Sequence, residues 1–224
     1  MNSLVLKGVL GFSASTAVAA GATKLAVGSG NVEPKSISKL MGDHYPEKRL
    51  LFKGYQGVFN GSQPEWKFVW KKYFNAYVGS PNNPFSVQLT SADGNAPDAF
   101  MKACKDIFGV KVSSVENEKF VWALEYCTRQ TSVGDLIYGT EKRPVPTSGN
   151  QGDVSSKWTE LWNTYRADNQ GKSNGQDEWG LFVSSTNETN VPQEFKDRCA
   201  KEIQVKTGDL KHRSFVNALK YCSK

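Results

Sequence analysis

The stretch Phe215-Val-Asn-Ala-Leu-Lys-Tyr-Cys222 nearly repeats Phe120-Val-Trp-Ala-Leu-Glu-Tyr-Cys127, ninety-five positions earlier. Six of the eight positions are identical, and each copy ends in one of the chain's four cysteines. Self-similarity at a fixed interval predicts one structural unit built twice. Other motifs recur in the same order. Ser36-Ile-Ser-Lys-Leu40 parallels Ser132-Val-Gly-Asp-Leu136, and Glu47-Lys-Arg49 parallels Glu141-Lys-Arg143. Trp66, Trp70 and Tyr73 match Trp158, Trp162 and Tyr165 in spacing. Asn95, Pro97, Phe100 and Cys104 match Asn190, Pro192, Phe195 and Cys199. From Pro97 to Cys127 the copies align without a gap on 192–222, with 11 of 31 positions identical.

Each motif has a packing reason. Trp66, Trp70, Tyr73 and Tyr77 fall at i, i+4, i+7 and i+11, one stripe of a helix. Ser62 and Glu65 resemble a capping box ahead of it. Pro97 and Pro192 suit the first turn of a second helix, where a missing N–H is tolerated. Ser114 and Asp209 are good N-cap types for a third, on which Phe120, Leu124 and Cys127, or Phe215, Leu219 and Cys222, share a face. The expected fold is therefore mainly α, with two tandem helical domains over 36–130 and 131–224 and minor short strands. Lys48 to Phe52 reads as one such strand, and Phe85, Val87 and Leu89 alternate like another. Arg143-Pro-Val-Pro146 is barred from a sheet interior by its prolines. The largest length change between the copies, three residues, falls between the first and second long helices, in segments 79–96 and 168–191, and variable loops on a fixed scaffold often carry binding.

Residues 1–26 read differently. Lys7 precedes sixteen uncharged residues, Gly8 to Thr23, rich in Ala, Gly, Val and Leu. As a helix they span roughly 24 Å, less than a hydrocarbon core of about 30 Å. Small residues at Ala20-Gly-Ala22 offer a cleavage site, so a cleaved signal peptide is one reading. Continuation through Val27 makes a retained membrane anchor the second, and an ordinary buried helix the third. Residues 27–35 read as a linker.

Four cysteines permit three pairings. Repetition favours one bridge per unit, Cys104–Cys127 and Cys199–Cys222, which export would allow to form. Reduced core thiols are the alternative for a chain that stays inside. Zinc binding fails on spacing, because no closely spaced cysteine pair exists and neither His44 nor His212 is repeated.

The net charge of +6 is spread along the chain, and Lys67, Lys71 and Lys72 form its only tight basic group. That pattern argues against a nucleic-acid surface. No nucleophile–base pair, phosphate loop or calcium loop is complete: Gly171-Lys-Ser173 has Arg166 where a phosphate loop requires glycine. Asp177, Glu178, Glu116 and Glu118 have no evident partner. Neither an enzyme nor a cofactor or metal requirement is expected.

The arrangement resembles the large paralogous families of small uncharacterised surface or secreted proteins of haemotropic mycoplasmas. The residues that carry it are the Gly8–Ala22 stretch, Trp158 and Trp162, Pro192, Phe195 and Cys199, Ala218, Leu219 and Cys222, and their first-copy equivalents. The resemblance implies display at the cell membrane's outer face or secretion, and a part in antigenic variation. Contact with host surface or immune proteins is expected from the apolar N-terminus, the duplication, the even charge and the variable loops. The membrane is a further partner wherever the N-terminal segment is uncleaved. A structural envelope protein whose repeats self-associate is the alternative expectation.

Overall fold

The computed structural model describes residues 33–147, 152–181 and 190–224. The expected signal or anchor, most of the linker, and 182–189 of the variable segment 168–191 lie outside the described residues. The rest forms one unit from Glu33 to Lys224. It is mainly helical.

The first repeat runs β1 (Lys35–Ser36), α1 (Ile37–His44), β2 (Lys48–Leu50), α2 (Pro64–Tyr77), α3 (Asp98–Ile107), β3 (Lys111–Val112), α4 (Glu118–Tyr126) and β4 (Thr128–Gln130). The second follows with α5 (Val133–Tyr138), α6 (Gly152–Asn169), α7 (Gln193–Gln204) and α8 (Arg213–Tyr221). Two antiparallel pairs, β1–β3 and β2–β4, tie the first repeat's start to its end. The second repeat reduces each pair to a single bridge, Ser132↔Lys206 and Pro144↔Ser223. Register is kept nonetheless. The Leu51 N–H donates to Cys127 O, as the Val145 N–H does to Cys222 O. In Arg143-Pro-Val-Pro146 the residues that donate are Arg143 and Val145, so the prolines fall where no donor is needed.

Each repeat has its own core. Trp66, Trp70, Tyr73, Phe100 and Phe120 are buried in the first, and Trp158, Trp162, Tyr165, Phe195 and Phe215 in the second. Leu124 and Leu219 are only half-buried at the margin of their cores. The ring geometry is also duplicated: Trp70 and Phe100 centroids lie 5.1 Å apart at 59°, and Trp162 and Phe195 repeat both values. Aromatic pairs in these tilted arrangements add attraction beyond their buried area. Disulfides join Cys104 to Cys127 and Cys199 to Cys222, with Cα atoms 5.3 and 5.5 Å apart, so each latches the second long helix to the third.

Several local expectations are corrected. The N-cap of α2 is Gln63, without a side-chain cap, and Ser62 lies one residue earlier. Pro97 and Pro192 are N-caps rather than first-turn residues. The third helix begins three to four residues later than Ser114 and Asp209, at caps supplied by Asn117 and His212. The Asn117 Oδ1 accepts from the Lys119 N–H at 3.0 Å and the His212 Nδ1 from the Ser214 N–H at 3.2 Å. Ser114 and Asp209 instead shape the turn ahead, accepting through their carbonyls from Asn117 and His212. Phe85 to Leu89 forms no strand.

Those residues form an anchor that is itself repeated. The Tyr73 hydroxyl donates to Asn83 Oδ1 at 2.6 Å and accepts from the Phe85 N–H at 3.0 Å, while Phe85 stacks on its ring. In the second repeat the Tyr165 hydroxyl donates to Asp177, accepts from the Trp179 N–H, and Trp179 stacks on Tyr165. Ser86, with φ of 51°, occupies the turn position of Gly180, with φ of 68°. Burial pushes the Tyr73 hydroxyl up to about 12, and burial together with the Asp177 carboxylate raises Tyr165 as well. Asp177 is thus a buried acceptor. Glu178 receives hydrogen bonds from Arg213 and Asn217, so neither acid stands alone.

The repeats meet through backbone as much as side chain. Thr131 donates its N–H to Glu47 O and its hydroxyl to Pro46 O, both at 2.8 Å, and its carbonyl accepts from the Thr207 N–H. Gly134 lies against Tyr55 and Ile203, and Gly208 against the Pro46–Glu47 backbone, where a Cβ would collide in either case.

Candidate binding surface at the repeat junction

The β2–β4 ladder delivers Arg129 to the corner where one repeat becomes the next. Its guanidinium grips Asp135 through two hydrogen bonds of 2.6 and 2.8 Å, and it also donates to Lys53 O. The two side chains are 4% and 0% exposed. Asp135 doubles as the third residue of a capping box at the start of α5, accepting from the Ser132 N–H and hydroxyl, and it accepts from the Tyr55 N–H at 2.8 Å. Burial raises the Asp135 carboxyl, but the Arg129 and Ser132 bonds outweigh it and hold the group down at about 2. Asp135 is saturated by these bonds, while the buried Arg129 Nε is left without an acceptor.

Two hollows flank this corner and share Lys48. One, about 250 Å³, lies among Met41, Gly42, Arg49, Lys53 and Tyr138. The other, about 500 Å³, runs between α2 and β4, lined by Pro64, Glu65, Phe68, Val69, Thr128, Arg129, Gln130 and Lys206. Phe68 is 71% exposed beside it. The second repeat shows what the scaffold itself requires at these positions. Phe68 aligns with Glu160 and Arg129 with Lys224, and there the two form an ion pair 2.7 Å long. In the first repeat Arg129 has turned inward to Asp135, and the facing stretch of α2 presents the exposed ring of Phe68 beside Glu65.

The four cysteines and the twelve aromatic and leucine residues singled out by the repeat make cores and latches, and none of them lines either hollow. The residues at the junction escaped the sequence reading. Comparison of unlike residues at matched positions, Phe68 with Glu160 above all, was the signal that could have found them. Among the described residues no group of three or more His, Cys, Asp or Glu side chains is placed to hold a metal ion. No described helix is long and apolar enough to cross a membrane. No family model, curated protein or solved structure matches the chain.

Proposed function

We propose that the chain is an exported or membrane-anchored surface module that binds a protein partner through the groove between α2 and β4, and that it is not an enzyme. The observation that carries this reading is Phe68: folding does not need an aromatic there, since Glu160 serves the same helix position in the second repeat. A large exposed aromatic beside a groove is a typical anchor point for a partner. Lys48 and Lys206 border the groove and Glu65 lines it from α2, so the complementary segment pairs an apolar side chain for Phe68 with charged neighbours of both signs. Disulfides persist in oxidising surroundings, which supports a location outside the cytoplasm, and the apolar N-terminal sequence supports export. The apolar N-terminal sequence, the duplication, the even charge and the variable loops favour host surface or immune proteins as partners.

Two experiments test this. Protease shaving of intact cells should release the protein; full resistance, with access confirmed on a known surface protein, overturns the location. Purified protein should bind host blood cells, and Phe68→Glu should lose that binding while keeping its melting temperature. Equal binding by both proteins overturns the groove. Concentration-dependent self-association lost in Phe68→Glu would instead favour the envelope reading, in which the repeats bind one another.

A further inference from the structure

We propose that the hollow among Lys48, Arg49, Lys53 and Tyr138 binds a small oxyanion, a phosphate or carboxylate carried on a compact body. This does not depend on the location or partner proposed above.

The duplication again supplies a control, because Glu-Lys-Arg occurs in both repeats at equivalent positions. In the second repeat the cations are occupied. Lys142 Nζ donates to Leu219 O, and the Arg143 guanidinium donates to Thr140 O at 2.8 Å and Lys142 O at 2.6 Å. Arg143 also stands 4.4 Å from the Tyr138 ring centre. In the first repeat, Lys48, Arg49 and Lys53 form no ion pair among the described residues. The Arg49 Nε is shielded from water and has no acceptor. The terminal nitrogens of the Arg49 guanidinium, which hold no carboxylate, are the ones an oxyanion in the hollow would engage.

The surroundings suit an anion. The one carboxylate bordering the hollow is Asp135, whose oxygens already receive Arg129, Ser132 and the Tyr55 N–H. The Arg129–Asp135 pair is neutral as a unit, which leaves three positive charges around about 250 Å³. Guanidinium presents a planar fork matched to carboxylate and phosphate oxygens, and two lysines add mobile charge. Ser38, Gly42, Gly54 and Gly139 keep the walls small, while Met41 and the Tyr138 ring give the carrying body an apolar surface.

The test is calorimetric titration of the full chain in phosphate-free buffer with phenyl phosphate, benzoate, inorganic phosphate and neutral benzyl alcohol. Phenyl phosphate or benzoate should bind one per chain at millimolar concentration or below, and benzyl alcohol should not bind. The tighter of the two anions identifies the group, and inorganic phosphate matching phenyl phosphate assigns recognition to the oxyanion alone. Arg49→Met should weaken binding about tenfold or more, as loss of a charge-assisted hydrogen bond predicts. Lys67→Met, outside the hollow, should leave binding unchanged. Without anion, Arg49→Met should melt at the same temperature or higher, since it removes an unpartnered donor. Absence of saturable anion binding, equal binding by Arg49→Met, or a lower anion-free melting temperature for that variant would each overturn the site.

Discussion

Arg129 and Lys224 follow their repeats' closing cysteines at the same interval, and their backbones make equivalent ladders, yet their side chains go opposite ways. Lys224 reaches across the surface to Glu160 on its own repeat. Arg129 turns into the junction and holds Asp135, a residue of the next repeat. The position that would have answered it, Phe68, is left as an exposed aromatic beside a groove. At the junction, then, the cation is in a buried pair rather than a surface one, and the helix position facing it carries an exposed aromatic. The difference teaches that junction and groove are one change seen from two sides.

The largest expected effect separates these two cations. Arg129→Met should destabilise the chain by about 3–5 kcal/mol in urea unfolding, because it strands a buried carboxylate. Lys224→Met should cost less than about 1 kcal/mol, as surface pairs do. A similar cost for both would break the comparison. The pH profile sharpens it. The folded Asp135 carboxyl sits near 2, below its ordinary 3.8, so its stabilisation is full above about pH 4 and is lost as pH falls towards 2. With Arg129 gone, burial dominates and the carboxyl rises, so the deficit of Arg129→Met should shrink as the solution is acidified.

Paired Cys→Ala replacements come next. Removing Cys104 and Cys127, or Cys199 and Cys222, should each cost about 3 kcal/mol, since both bridges span 23 positions. Markedly unequal losses would show that the latches are not equivalent. Tyr165→Phe should cost roughly 1–3 kcal/mol and more than Tyr73→Phe, because it takes a hydroxyl donor from the buried Asp177 carboxylate, whereas Tyr73 faces a neutral Asn83. Thermal melting of the two variants side by side checks the order. The smallest effect is at the third helix: His212→Asn, which imports the first repeat's cap, should change stability by no more than about 0.5 kcal/mol.

The repeat, the helical class and the pairing of cysteines were legible because each leaves a period or an identity in the chain. Trp66, Trp70 and Tyr73 declare a helix face by spacing alone. The loop anchor was not legible, since Asn83, Phe85, Ser86 and Val87 share chemistry but no identity with Asp177, Trp179, Gly180 and Leu181. Helix starts were misplaced because Ser114 and Asp209 are better cap types than His212, and the chain spends them on the preceding turn. Nothing in spacing marks Arg129 and Asp135 as partners: they face each other around a strand-to-helix corner, and only the tertiary path makes that contact.

The docking of one repeat on the other is directional. The second repeat receives the first through Gly134 and Gly208, where bare backbone admits Tyr55 and Glu47. In the first repeat the matching positions are Ser38 and Ser113. A further copy arriving at that end would meet side chains where the contact tolerates none. Head-to-tail contacts of this kind otherwise propagate into open filaments. Ser38 and Ser113 thus set a Cβ and a hydroxyl at the two places where the observed contact uses glycine, so the two repeats are not interchangeable in it.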